Sequence, residues 1–308
     1  MHGLGRDDRV ILLTSPMTSM RICWLNGEFV AEDSAKISIF DRGVLFGDGI
    51  YEVAAVVNGR LLDADLHLVR LTRSLAAVGI AMVQSAAAWL EIMQTLATRN
   101  GIVEGLVYLQ VTRGVAEREF PFPANVPPTM FAYARPKALT NDPNAVGVRA
   151  HVVPDLRWAR RDIKSTSLLA QVLAKQAARA AGAFEAIMHD EGIVTEGGSS
   201  TIWIVQHGTL VTRPLSNDIL AGITRDVTLQ LAAALKRPVV ERAFTLDEAL
   251  DAEECFLTSA TSLVLPITQI DDRNIGSGQP GPVTAALRDA YIARAIELTT
   301  APVLAVSA

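Results

Sequence analysis

The spacing of apolar positions changes period several times along the chain, and each change marks an element. "ICWLNGEFV" (22–30) is two short apolar runs around Asn26-Gly27, and "YEVAAVVNGRLLD" (51–63) repeats the device around Asn58-Gly59. Asn-Gly between such runs predicts tight hairpins, because both central residues of that turn need positive φ. Helical periodicity follows at about 65–78 and 86–99, the second segment closed by Asn100-Gly101. "LVYLQVT" (106–112) and "TMFAYAR" (129–135) return to strand composition. "PKALTNDPNAVG" (136–147) is rich in Pro, Asn and Gly and predicts a linker.

Beyond it, "RRDIKSTSLLAQVLAKQAARAAG" (160–182) is almost all strong helix formers from Ser167 to Ala181. Ser165, Thr166 and Ser167 stand where an N-cap is expected. Lys164 precedes them, at the end of a helix where the dipole disfavours a cation. Strand pairs are expected around Asp190-Glu191-Gly192 and around Gln206-His207-Gly208, and helices at about 224–236 and 282–298. Thr245 with Glu248 spells a capping box, and "CFLTS" and "LPITQI" predict two more strands. Strands and helices alternate irregularly, which favours two α+β or mixed α/β domains over a regular βαβ array. The expected division is an extension at 1–19, a small α+β domain at 20–135, the linker at 136–147 and a larger α/β domain at 148–308.

Composition narrows the function. Half of the 308 residues are hydrophobic and a fifth are charged, the profile of a globular chain with a sizeable core. The formal charge is −5, and "RWARR" (157–161) is the nearest thing to a basic block, too short for a nucleic-acid footprint. Two distant cysteines, Cys23 and Cys255, and five scattered histidines give no zinc spacing and no disulfide framework. The N-terminus is too acidic for a signal peptide, and no apolar run approaches a membrane span. A cytoplasmic, metal-free protein is expected.

Several stretches carry chemistry. "GSGQPG" matches G-x-G-x-x-G at Gly276, Gly278 and Gly281, but too little chain follows for a dinucleotide unit. In "LAGITRDVTLQLAAAL" (220–235) Gly222-Ile223-Thr224 leads directly into an amphipathic helix, a natural place for a phosphate on free N–H groups. "LTSATS" (257–262) is a second small-residue anion nest. Glu196 precedes a glycine pair in "EGGSS", Tyr51 opens an apolar strand, and Arg113 and Arg118 lie in a loop after another. One lysine, two anion cradles and one carboxylate are what pyridoxal 5′-phosphate needs: an amine, a phosphate site and a partner for the pyridine nitrogen.

Taken in order, "ISIFDRGVLFGDGIYEV", "HLVRL", "VTRGVAEREFPFP", "DIKSTSLLAQVLAKQ", "VTEGGSS" and "GITRDV" resemble the fold-type IV pyridoxal-phosphate enzymes, and look most like D-amino acid transaminases. The resemblance spans about residues 20–298. It implies that Lys164 forms the Schiff base with the cofactor and then moves the proton, the catalytic role. It implies Arg70, Ile223, Thr224, Ser259 and Ala260 around the phosphate, Glu196 on the ring nitrogen and Ser199 behind the ring. Tyr51 and Arg118 match residues that receive the substrate carboxylate, Arg118 across the interface of a homodimer. Phe120 stands where many members carry a histidine, Ala260 replaces a frequent hydroxyl residue, and "GSST" replaces "SSSN". The implied activity is amino transfer from a D-amino acid such as D-alanine to 2-oxoglutarate or pyruvate. A branched-chain L-amino acid transaminase, an R-selective amine transaminase and aminodeoxychorismate lyase share the resemblance. A binding protein without turnover and a nicotinamide-linked oxidoreductase are the more distant alternatives.

Overall fold

The computed structural model describes residues 20–300; the expected extension at 1–19 lies outside them. The first sheet is built from β1 (Ile22–Leu25), β2 (Glu28–Ala31), β3 (Gly49–Val57), β4 (Arg60–Leu62), β5 (Gly105–Thr112) and β6 (Thr129–Pro136), in the order β2-β1-β6-β5-β3-β4. Around it lie α1 (Arg42–Phe46), α2 (Ala64–Ala77) and α3 (Ala86–Arg99). Both predicted hairpins form: Asn26 and Gly27, and Asn58 and Gly59, have positive φ between strands that pair antiparallel.

The second sheet uses β7 (Val148–Pro154), β8 (Glu185–Asp190), β9 (Ile193–Gly197), β10 (Thr201–Gln206), β11 (Thr209–Thr212), β12 (Val239–Glu241), β13 (Glu254–Ser259) and β14 (Leu263–Ile270), in the order β12-β11-β10-β13-β14-β7-β8-β9. A short β15 (Arg273–Asn274) pairs with β14. Its helices are α4 (Leu169–Ala180), α5 (Ile223–Ala234), α6 (Leu246–Leu250) and α7 (Pro282–Thr300). The sheet is mixed, because β7 lies parallel to both of its neighbours and β12 parallel to β11. The capping box of Thr245 and Glu248 is formed at α6.

Alternation along β3 joins the two sheets. Ile50, Ala54 and Val56 face α2 and α3 in one hydrophobic cluster. Ala55 and Val57 belong to another, with Leu62, Leu106, Trp203, Phe256, Leu287 and Tyr291. A strand covered on both faces reads as a near-continuous apolar run, as "GIYEVAAVV" does apart from Glu52.

The 136–147 stretch is packed against the body of the protein: Leu139 is fully buried in the shared cluster, and Arg288 donates to the carbonyls of Leu139 and Thr140. Glu104 accepts from the N–H groups of the same two residues. One expectation changes: Ser165, Thr166 and Ser167 do not cap a helix, since α4 starts at Leu169 with no side-chain cap. The Thr166 hydroxyl instead donates to the carbonyl of Gly47 at 2.7 Å, and its N–H to that of Gly49 at 2.9 Å. Lys164 therefore sits in a turn, with the Ser165 N–H on the Ile163 carbonyl, and the residues after it are pinned to the start of β3. No helix among the described residues is long and apolar enough to cross a membrane.

Candidate active site

The lysine segment and β3 meet through a bridge between Ile50 and Ser165, and the N–H of Tyr51 donates to the Lys164 carbonyl at 3.1 Å. Two glycines make room for this contact. A Cβ on Gly47 would lie 2.8 Å from Ser167 Oγ, and one on Gly49 would lie 3.0 Å from the Val111 carbonyl oxygen. Gly47 also needs its φ of +67° to end α1. Lys164 Nζ stands 4.1 Å from the centroid of the Tyr51 ring. Among the described residues it has no carboxylate or carbonyl partner.

This amine opens on a cavity of about 180 Å³ between the two sheets. The cavity collects Tyr51, Arg70, Lys164, Glu196, Ser199, Ile223, Thr224, Ser259 and Ala260, nine residues named from the sequence. Arg118 and Phe120 are not on it. They lie in the exposed loop after β5, where the Arg118 guanidinium approaches the rings of Phe46 and Phe120.

One end of the cavity is built for an anion. α5 begins at Gly222 without a side-chain cap, so its first N–H groups and the positive end of its dipole are available. The turn after β13 lies on the same cavity, with Ser259 and Thr261 hydroxyls 3.2 Å apart. Arg70 crosses from α2, donating Nη1 to the Ala221 carbonyl at 2.7 Å. Its Nε and Nη2 hold Glu52 at 2.7 and 2.8 Å, and His67 Nδ1 lies 2.7 Å from the same carboxylate. An arginine has five N–H groups, so one on each terminal nitrogen remains. Glu52 is wholly buried; burial alone would favour its proton, but Arg70 and then His67 outweigh it and hold the carboxyl far below the usual range. Burial opposes the Arg70 charge too, and Glu52 overrides it, keeping the guanidinium above its ordinary value.

Glu196 closes the other end. One carboxylate oxygen accepts from Arg157 Nη1 and the other from the Leu220 N–H at 3.1 Å. Arg157 is itself chelated by Asp155, Nε to one oxygen at 2.9 Å and Nη2 to the other at 2.6 Å. Burial pushes the Glu196 carboxyl above its usual range, and Arg157 and the Leu220 N–H offset only part of it. A cationic N–H in the cavity would complete the offset. Ser199 and Ser200 donate to Glu185 at 3.3 and 3.0 Å, which fixes the turn between β9 and β10 at the cavity wall.

Glu52, His67 and Arg157 went unassigned in the sequence. An acid inside an otherwise apolar central strand was the available signal for Glu52, and the i, i+3 spacing of His67 and Arg70 puts both on one helix face. Arg157 was hidden in a segment that passes for a solvated basic run. The "GSGQPG" segment holds no phosphate site. Glu254 already accepts from the Val283 and Thr284 N–H groups at the start of α7, and a Cβ on Gly281 would collide with its carboxylate.

The family model for amino-transferase class IV matches residues 49–270, and the chain belongs to this family of aminotransferases. It is 42% identical over 265 residues to a D-alanine aminotransferase of Bacillus licheniformis, covering 86% of this chain and 94% of that one. A D-alanine aminotransferase of Staphylococcus aureus is 40% identical over 273 residues, 88% and 97% of the two chains. Among solved structures, a branched-chain amino acid aminotransferase of Escherichia coli superposes with a TM-score of 0.85 at 23% identity, covering 93% of this chain and 98% of that one. A second branched-chain enzyme, solved with pyridoxamine 5′-phosphate, superposes with a TM-score of 0.82 at 27% identity, covering 89% and 93%. The fold is thus the fold-type IV arrangement.

Pyridoxal 5′-phosphate is the cofactor of this class, and the cavity fits it. An amine without an acid partner, an uncapped helix start beside an arginine with N–H groups to spare, and a buried carboxylate on the cavity wall each answer one part of that molecule.

Proposed function

We propose that the protein transfers the amino group of D-amino acids such as D-alanine to 2-oxoglutarate or pyruvate. The observation that carries this reading is near full-length identity of 40–42% to D-alanine aminotransferases, against 23–29% to branched-chain enzymes. Bound pyridoxal 5′-phosphate would supply a carbonyl for imine formation and a ring that takes up the electron pair left by the departing α-proton. The chain's residues do the rest. Lys164 Nζ would hold the cofactor through its carbonyl carbon and would serve as the base that takes the proton from the substrate Cα and delivers it to that carbon. Glu196 holds the ring nitrogen in its protonated form. Ile223 and Thr224 N–H groups, Arg70, Ser259 and the Ala260 backbone hold the phosphate, and Ser199 lines the wall behind the ring. Tyr51 and Arg118 take the substrate carboxylate.

Arg118 lies off its own chain's cavity, which supports a homodimer in which its loop completes the partner's site. The exposed apolar side chains of Phe40, Val44, Phe120 and Phe122 support the same arrangement. The reading includes a small domain at 20–135 and a larger one at 148–308 flanking the cleft. It also places the enzyme in the cytoplasm, as two free cysteines favour. Mixing the purified holoenzyme with D-alanine and 2-oxoglutarate tests the function: pyruvate release is expected, and release of a keto acid from L-leucine alone would overturn it.

A further inference from the structure

The loop that carries Arg118 is tied to α1 by an arrangement the reaction itself does not require. Arg42, at the start of α1 and only 3% exposed, sends Nη1 to the Glu119 carbonyl at 2.5 Å and Nη2 to the Phe120 carbonyl at 3.3 Å. Those carbonyls belong to the two residues directly after Arg118. The Arg42 charge is balanced by Asp48, which accepts its Nε at 2.8 Å. The same carboxylate takes Nε and Nη2 of Arg113, at the root of the loop, at 2.7 and 3.0 Å. Backbone pairing extends the seam, with Arg42 N–H on the Gly114 carbonyl and Ala116 N–H on that of Phe40. At the end of α1, the Phe46 ring lies 5.4 Å from the Arg118 guanidinium, 4.6 Å from that of Arg42 and 5.6 Å from the Phe120 ring.

A loop on the surface normally leaves a long side chain free to rotate, and a binding arginine that must be ordered on each encounter loses affinity to that ordering. Here the backbone beside Arg118 is held by a buried cation, and its guanidinium rests against an aromatic ring that favours cations. Phe46 does not line the cavity; its ring meets Arg42, Arg118 and Phe120, all part of the seam that holds the loop.

We infer that Arg42 and Phe46 are positioning residues for Arg118: Arg42 fixes the loop backbone through the Glu119 and Phe120 carbonyls, and Phe46 holds the guanidinium in the pose that receives a substrate carboxylate. This rests on the carboxylate-binding reading of Arg118. The chemical step at Lys164 is untouched by either residue, so their loss shows as weaker substrate binding with turnover at saturation retained. A 1 Å misplacement of a binding group can cost on the order of 100-fold, and loss of one of two supports is expected to cost about tenfold in KM.

The test is steady-state kinetics on holoenzyme with D-alanine and 2-oxoglutarate, together with the inhibition constant of propionate as a plain carboxylate. Phe46→Leu keeps the helix and removes the aromatic face; Arg42→Lys keeps the charge and removes the two-carbonyl fork. Each is expected to raise KM and the propionate constant together, with kcat within about twofold and the cofactor's visible band unchanged. In an Arg118→Ala background Phe46→Leu should add nothing further, because coupled residues are non-additive. Unchanged KM in Phe46→Leu, or a full additive effect without Arg118, overturns the inference. Arg118→Ala with wild-type KM would instead overturn the role of Arg118 itself, and the two failures are thereby told apart.

Discussion

The carbonyl of Lys164 accepts the N–H of Tyr51 at 3.1 Å, while the ammonium of the same lysine stands 4.1 Å from the Tyr51 ring centroid. Main chain and side chain of one residue thus meet main chain and side chain of the other. The amine is carried by a turn clamped to β3, which aims it more tightly than a free loop would. Lys164→Ala is expected to lower kcat by at least the 10²–10⁴-fold typical of a lost proton carrier. Borohydride treatment should fix cofactor to the wild-type chain and none to the variant. Covalent fixation in the variant would move the amine elsewhere.

Arg157→Met tests the support of Glu196. Removing one partner of a buried ion pair costs about 3–5 kcal/mol, and here it leaves both Asp155 and Glu196 without their shared cation. Glu196 already sits above its usual range because of burial, and losing Arg157 pushes it further up. A carboxyl that holds its proton more readily is a poorer partner for a cationic ring N–H, and a weaker cofactor dissociation constant by at least tenfold is expected. Arg157→Lys should recover part of the loss; equal affinity in wild type and Arg157→Met would exclude the role.

Glu52→Gln addresses the arginine end. The folded-state pKa of Glu52 is depressed, so its contribution to stability is present above the unfolded value of about 4.3 and is lost as pH falls toward the folded one. At pH 7 the variant should be less stable by about 3 kcal/mol, as for a broken buried pair. Below about pH 4 the gap should close by up to roughly 1.4 kcal/mol per pH unit. Urea unfolding of the cofactor-free protein at pH 7, 5 and 3.5 checks this, and a gap that widens on acidification would contradict it.

Thr245→Ala separates stability from catalysis. Thr245 caps α6 and does not line the cavity; its hydroxyl accepts from the Glu248 N–H at 3.1 Å. The change should cost about 1 kcal/mol in thermal unfolding and leave kcat/KM unaltered.

Features that depend on neighbours in sequence were legible beforehand. The Asn26-Gly27 and Asn58-Gly59 turns, the Thr245–Glu248 capping box and the span of α3 all follow from local rules. What escaped depends on distant partners. Ser165, Thr166 and Ser167 have the composition of a cap, yet the Gly47 and Gly49 carbonyls, more than a hundred residues away in sequence, claim Thr166 and Ser167. Strands β7 and β12 were not marked, because β7 alternates weakly and β12 is three residues long. Lys164, Glu196 and Arg70 stood out through motifs; Arg157 and Glu52, which set the charge around two of them, have nothing local to announce them.

The cluster that runs from Ala55, Val57 and Leu62 to Trp203, Phe256 and Leu287 belongs to neither sheet alone. Cutting the chain after β6 would expose the outer side of β3 to water and remove Ala55, Val57, Leu62 and Leu106 from the cluster they share with α5 and α7. Neither fragment should fold by itself. Heating should give one unfolding transition by every probe, with calorimetric and van't Hoff enthalpies equal for the cofactor-free protein. The seam that shapes the cavity is therefore also what makes the molecule a single cooperative unit.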